Sequence, residues 1–312
     1  MRIAITGGTG FLGSSIMAQA RSRGDRFLLL TRHPGRPAPA DTETVAWSDS
    51  APAALPPHDA VFHLAGESVG QRWTDRVKQE IMESRRAGTR RLVDAIGAMK
   101  PEDRPKTLVS ASAVGYYGER GEELLTEESP PGNGFLSEVC KVWEAEARRA
   151  EDLGARVVSV RIGVVLGKEG GALAKLLPPF KMGAGGPLGS GRQWFPWVHH
   201  RDVAGLFLFA LDRDTLRGPV NAVAPGIVRG AEFAHTLGSV LHRPAIIPTP
   251  VALLRVMLGE FANSMVESQH VIPRAAADAG YTFQRPDLRG ALKEILAETV
   301  SPSSPPVSPS RS

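Results

Sequence analysis

One cysteine stands in 312 residues. Cys140 alone cannot close an intramolecular disulfide, which excludes a disulfide scaffold and fits a reducing compartment. Its expected role is helix packing beside Lys141, ahead of that of a reactive thiol. Long apolar runs are lacking too. No stretch approaches the roughly twenty residues a membrane helix needs, so no spanning segment is expected. The short run after Met1-Arg2 leads straight into glycines rather than a signal-peptide cleavage site. A cytoplasmic protein with no membrane partner is the expectation. Charge of one sign is also missing: 37 Lys and Arg against 33 Asp and Glu leave only +4. No basic run with interleaved aromatics stands out, so nucleic acid is not an expected partner.

What is present begins at the first residues. Met1 to Ile5 is a short apolar run, followed at once by Thr6-Gly7-Gly8-Thr9-Gly10-Phe11-Leu12-Gly13. Ser14 to Arg23 has helical character, Gly24-Asp25 supplies a turn, and Phe27 to Leu30 is a second apolar run. Strand, glycine turn, helix and strand form a dinucleotide-binding unit. Gly7 turns the chain off the strand, Gly10 admits a pyrophosphate, and Gly13 lets the helix lie close to the sheet. The anion would sit on free N–H groups at the helix start, around Thr9, Phe11 and Leu12.

The second strand ends Leu30-Thr31-Arg32-His33-Pro34, with no acid until Asp41. An NAD site usually has a carboxylate there for the ribose 2′-hydroxyl. Arg32 instead offers a fork to a 2′-phosphate and Thr31 a hydroxyl, so NADP(H) is the expected cofactor.

Further strands are expected at Val45–Trp47, Ala60–Gly66, Thr107–Ser110 and Val220–Val223, with a strand and loop over Arg156–Gly167. Ala65 and Gly66, the small residues that end the second of these, let backbone pass close to a ligand. Helices are expected over Trp73–Met99, with Ile81, Leu92, Val93 and Ile96 inward, over Phe135–Leu153, and from Arg201 to Leu211. Strands alternating with helices predict a Rossmann-type doubly wound parallel sheet, an α/β fold. The predicted nucleotide domain spans residues 1–167 with a return segment near 200–225. Residues 168–199 and 226–298 form a smaller substrate-side lobe, including a glycine-rich loop over Lys181–Gly191. The Ser/Pro-rich stretch 299–312 reads as a disordered tail.

These motifs together resemble the extended or atypical short-chain dehydrogenase/reductases. More narrowly, the chain is similar to the "epimerase family" branch, labelled NAD-dependent epimerase/dehydratase or cell-division-inhibitor-like. The residues that carry this are Thr6–Gly13, Leu30–Arg32, His63–Glu67, Arg72–Thr74, Ser84-Arg85, Ser110–Gly118 and Phe135-Leu136. Cys140-Lys141, Trp143-Glu144, Arg161–Gly167, Gly189–Gly191, Trp197–His199, Arg243-Pro244 and Gly280–Phe283 complete the pattern. The resemblance implies an NADP-type site with Leu64 and Ala65 beside the cofactor, Glu80 and Arg85 contacting the nucleotide, and Val164 near the nicotinamide.

In that superfamily a Ser, a Tyr and a Lys handle the proton that accompanies hydride transfer, the Lys four residues after the Tyr. Ser112 and Lys141 match, but the position four before Lys141 is Ser137, whose hydroxyl is far less acidic than a phenol. Three readings stay open. Tyr116 or Tyr117 supplies the phenol; water or a substrate group relays the proton between Ser112 and Lys141; or the protein binds NADP(H) as a non-catalytic regulatory or redox-sensing module. The leading expectation is an NADP(H)-dependent oxidoreductase or epimerase acting on a small polar hydroxyl or carbonyl substrate, with nucleotide sugars among the candidates. It would act as a monomer or homodimer. His63 reads as a satisfied core histidine, Glu67 as a residue near the pocket, and His199 and His200 suggest no metal site.

Overall fold

The computed structural model describes residues 1–39, 41–47 and 55–298. Its centre is a sheet of seven strands: β1 (Arg2–Thr6), β2 (Arg26–Thr31), β3 (Thr42–Ala46), β4 (Ala60–His63), β5 (Thr107–Ala113), β6 (Arg156–Ile162) and β7 (Gly218–Ala222). All pairs are parallel, and the spatial order is β3-β2-β1-β4-β5-β6-β7. The order reverses between β1 and β4, where such sheets open a crevice at the strands' carboxyl ends. The helices are α1 (Phe11–Arg21), α2 (Asp75–Gly97), α3 (Phe135–Arg148), α4 (Gly171–Lys181), α5 (His200–Asp212), α6 (Gly230–Leu241), α7 (Val251–Leu258) and α8 (Leu288–Ala297), beside shorter turns.

The strands are apolar on both faces because helices cover both. Ile3, Ile5, Phe27, Leu29, Phe62 and Val109 pack with Ile16 and Met17 of α1 and Phe207 of α5. Their neighbours in sequence, Ala4, Leu28, Leu30, Val61 and Leu108, point the other way, onto Leu92, Val93 and Ile96 of α2. The period of two in a strand divides one continuous apolar run between two cores. A third core joins Leu173, Leu177 and Phe180 of α4 to Phe233 and Leu237 of α6 and to Leu288, Leu292 and Ile295 of α8.

The long second helix starts where Thr74 caps it, its side chain accepting from Val77 N. The stretch expected as one helix over Phe135–Leu153 is α3 followed by a 3₁₀ turn, Arg149–Leu153. Two elements were not foreseen. α4 forms despite Pro178 and Pro179, which lie in its last turn. Val164–Leu166, inside the stretch expected as a strand and loop, pairs in parallel with Trp197–His199 as a separate two-stranded ribbon. The expected tail, 299–312, lies outside the described residues. Among the described residues no helix is long and apolar enough to cross a membrane.

The glycine turn sets a steric test. A Cβ on Gly13 would lie 2.3 Å from Gly7 O and 2.6 Å from Gly8 Cα, so α1 sits against the turn itself. Gly13→Ala is expected to cost about 3 kcal/mol or more by overpacking against backbone. Gly88→Ala, mid-helix with nothing within 4 Å of the new carbon, should stabilise by about 0.5–1 kcal/mol. Urea unfolding of both variants checks the contrast.

Candidate nucleotide crevice and active site

Gly7 leaves β1 with φ 70°, and a Cβ there would lie 2.9 Å from Ala65 N. Gly10 caps α1 without a side-chain acceptor, and the helix has no acid in its first turn. Ser14 N is bonded to Gly10 O at 2.8 Å, so the amides of Phe11, Leu12 and Gly13 have no intrahelical partner. Thr9 and Gly10 are exposed at the mouth of the turn. Bare amides plus the helix dipole make an anion seat at the crevice.

The opposite wall is tied to this turn by one hydroxyl. Thr6 Oγ1 accepts from Leu64 N and Ala65 N, both at 3.2 Å, and lies 2.7 Å from His63 Nδ1. With both acceptor sites used, the hydroxyl donates to Nδ1, which puts the ring proton on Nε2, 2.9 Å from Thr89 Oγ1. Burial pushes the His63 pKa down to about 4, so the ring stays neutral. It is a core histidine with both nitrogens satisfied, as its apolar strand suggested.

At the end of β2, Thr31 is half-buried and Arg32 exposed. Thr31 Oγ1 accepts from His33 N at 3.1 Å. No carboxylate pairs with Arg32 among the described residues. Arg85 is half-buried against the Trp143 ring, with Cζ 4.7 Å from its centroid. Its Nη1 donates to Glu67 O at 2.9 Å. Gly66, exposed at the crevice, runs so close that a Cβ on it would lie 3.0 Å from the Arg85 Cζ. Glu80 stands on the exposed side of α2, 3.7 Å from Arg76. Val164 N is committed to Pro196 O at 2.7 Å.

Around Ser112 the sequence reading needs correction. Ser112 is buried at the end of β5, and its Oγ is 2.7 Å from Glu144 Oε1. Arg161 forks the same carboxylate, Nε to Oε1 at 2.8 Å and Nη2 to Oε2 at 2.9 Å. A forked glutamate only accepts, so Ser112 donates to it and keeps only acceptor capacity for a ligand. Arg161 Nη1 also donates to the Tyr117 hydroxyl at 3.0 Å, which in turn donates to Asn221 Oδ1 at 2.8 Å. Tyr117 is fully enclosed and its pKa is pushed up to about 12 by burial, against the pull of Arg161. Tyr117 is therefore locked inside the network rather than offered to the crevice as a proton donor.

Tyr116 differs. Its ring lies on Arg161, with Cζ 3.4 Å from the centroid, and its hydroxyl makes no hydrogen bond among the described residues. The residue is half-buried.

Ser137 explains the missing tyrosine locally: its hydroxyl lies 2.9 Å from Tyr116 O and 2.8 Å from Gly132 O, pinning the loop. Lys141, expected to fix ribose and local charge, instead pairs with Glu138 at 2.6 Å on the exposed flank of α3. Cys140 and Glu144, one turn apart, hold the inner stripe, so the next residue is rotated about 100° away. Cys140 is buried, its thiol pushed up to about 11 by burial, which makes it inert packing. Nothing local in the sequence marks Glu144, Arg161 and Asn221, three residues from separate elements, as partners at this site.

His199, His200 and Glu298 come together, with one potential ligand atom each inside 4.8 Å. The tautomer argues against a metal: His199 Nδ1 accepts from Arg201 N at 3.0 Å, so Nε2 keeps its proton. Arg201 also lies 3.0 Å from Glu298.

The buried pair gives a test. Arg161→Met leaves Glu144 charged and enclosed and is expected to cost about 3–5 kcal/mol. Arg161→Met with Glu144→Met should recover most of that loss, read by denaturant unfolding of single and double variants.

With this geometry, the likeness to known proteins is informative. Residues 3–222 match the NAD dependent epimerase/dehydratase family, and residues 249–295 match a domain of unknown function, DUF1731. The human epimerase family protein SDR39U1 is 40% identical over 302 residues, covering 95% of this chain and all of that one. An Arabidopsis thaliana chloroplastic homologue is 40% identical over 306 residues, covering 95% of this chain and 87% of that protein. The crystal structure of human SDR39U1 (isoform 2) with NADPH superposes with a TM-score of 0.87 at 39% identity, over 95% of this chain and 99% of that one. The strand order, the glycine turn and these matches together show that the chain belongs to the NAD dependent epimerase/dehydratase family.

Proposed function

We propose that this protein is an NADP(H)-dependent oxidoreductase or epimerase that acts on a small polar substrate bearing a hydroxyl or carbonyl group. The observation that carries the reading is the uncapped start of α1 at the β1–β4 switch point, three amides without an intrahelical partner and no acid in the first turn. It is a seat for a pyrophosphate. Arg32, with no carboxylate beside it, favours a 2′-phosphate over a bare ribose. The human relative crystallised with NADPH supports the same choice. Thr31, Leu64 and Ala65 line the nucleotide, Arg85 offers it unused guanidinium donors, and Glu80 and the Val164 backbone stand at its two ends.

Bound nicotinamide would supply or take the hydride. The chain's own residues do the rest. In the reducing direction Tyr116, whose hydroxyl has no partner among the described residues, gives its phenolic proton to the substrate carbonyl oxygen as hydride reaches the carbon, and regains a proton from water. The hydroxyl so formed donates to Ser112, whose own proton is held by Glu144. Lys141 reaches the ribose by leaving Glu138, and an exposed i,i+3 pair costs only tenths of a kcal/mol to break. The buried thiol of Cys140 fits a cytoplasmic setting.

A second reading is favoured by Ser137 and Lys141, which are both engaged elsewhere. It holds that the protein binds NADP(H) as a regulatory module without turnover.

Calorimetry should find NADPH binding far tighter than NADH, with the preference lost in Arg32→Ala. Binding of neither nucleotide would sink the reading. In an NADPH-oxidation screen over carbonyl compounds, Tyr116→Phe is expected to slow turnover by about 10²-fold or more. Tyr117→Phe should leave turnover intact and cost about 1 kcal/mol of stability. NADPH binding without turnover on any compound would favour the regulatory module.

A further inference from the structure

The outer surface of the smaller lobe carries large apolar side chains in the open. Met182 is 77% exposed, Ile246 73%, Val256 69% and Met257 61%, with Ile247 and Leu253 each more than half exposed. Of the eight large hydrophobic residues exposed among the described residues, these are six. Leu253, Val256 and Met257 fall at i, i+3 and i+4 of α7, so they form one outward stripe. Leu254 alone of that helix is buried. The chain leading into α7 lies along residues 185–189. Ile247 N bonds to Gly185 O at 3.3 Å, and Thr249 N to Pro187 O at 2.8 Å. A soluble surface scatters such residues singly; gathered ones mark an interaction face.

The two sequence segments that supply these side chains carry charge of one sign. Between Glu169 and Asp202, and again between Glu232 and Glu260, the sequence contains no Asp or Glu. The same two segments carry Lys175, Lys181, Arg192, Arg243 and Arg255, all exposed. Among the described residues none of these five forms an ion pair. Arg243 donates to Lys181 O at 3.1 Å and Arg255 to Asn263 Oδ1 at 2.9 Å. Glu260, the first acid past α7, is already paired with Lys78 at 2.8 Å.

We propose that this face docks on an anionic lipid bilayer surface, with the α7 stripe and Ile246-Ile247 entering the headgroup boundary and the surrounding cations meeting acidic headgroups. Apolar residues beside unpaired cations, without carboxylates, are what an interfacial helix presents. The absence of a spanning helix does not bear on this mode, since the face lies on a membrane rather than through it. A second copy fits less well. Twofold pairing sets each patch on its own image, placing the same unpaired cations opposite one another. The position connects the face to the crevice. Trp73 N bonds to Leu258 O at 3.2 Å and Arg72 Nη1 to Val256 O at 2.7 Å, so α7 is fastened to the loop that follows β4. Docking would turn the crevice rim toward the bilayer and its amphiphilic contents.

Cosedimentation with vesicles tests the proposal without relying on any activity. The full chain is mixed with vesicles of phosphatidylcholine alone or of phosphatidylcholine with phosphatidylglycerol, at low and high salt. Expected is binding to the mixed vesicles only, weakened by salt. It should fall about fivefold for each cation removed, as in Arg243→Ala and Arg255→Ala. Leu253→Asn/Val256→Asn/Met257→Asn should abolish it, while the melting temperature stays that of the wild type. Equal binding to phosphatidylcholine alone, no binding to either, or unchanged binding by the α7 variant would overturn the proposal. So would light scattering that finds a dimer which the α7 variant converts to monomer, since a second copy then covers the face. NADPH binding is read separately, so failure here leaves the nucleotide assignment standing.

Discussion

The chain after β1 and the chain after β4 approach each other as closely as backbone can. Gly7 turns at a positive φ so near the Leu64–Ala65 peptide that a methyl group would collide with it. Thr6 Oγ1 then staples both amides of that peptide, and His63 with Thr89 anchors the hydroxyl from behind. Every feature of the nucleotide crevice depends on this seam. It sets where α1 begins, and there the amides of Phe11, Leu12 and Gly13 have no intrahelical partner. A neutral, desolvated His63 keeps the seam free of charge close to a seat for an anion.

A second constraint governs the reactive end. Burying Arg161 next to β5 requires a counter-charge, and Glu144 provides it through a fork. That pair then uses up the donors around it. Ser112 gives its proton to Glu144, and Tyr117 gives its own to Asn221 while accepting from Arg161. Two hydroxyls that look reactive on paper are held in fixed roles, one as an acceptor and one as structure. Tyr116, stacked on the same guanidinium, keeps a free hydroxyl. The electrostatic cost of one buried cation thus shapes what the site can donate and accept.

The segments from α4 onward that lie outside the central sheet pack on different terms. Their core of Leu173, Phe180, Phe233 and Leu292 is apolar and closed, while their outer ribbon and α7 leave aliphatic side chains in water beside unpaired cations. The same segments therefore combine a packed apolar core with a stripe of exposed aliphatic side chains. The joints at Arg72 and Trp73 fasten α7 to the loop that follows β4.

The sequence alone determined the local features, because each rests on neighbours in the chain. The glycine spacing after an apolar run specified the turn and the helix start. The absence of an acid beside Arg32 specified the character of the β2 end, and apolar periodicity put Ile81, Leu92, Val93 and Ile96 inward, where they are buried. Only the tertiary structure decided which hydroxyl groups are available. Ser112, Glu144, Arg161, Tyr117 and Asn221 come from five elements spread over more than a hundred residues, and no local spacing predicts their contacts. The side of α3 that faces the sheet was likewise a packing outcome. Cys140 and Glu144 took the inner stripe, and Lys141, one residue along, lies half-buried at its flank beside Glu138. Hydrogen-bond roles follow from which partners share a buried space, and that is fixed by packing, not by position in the chain.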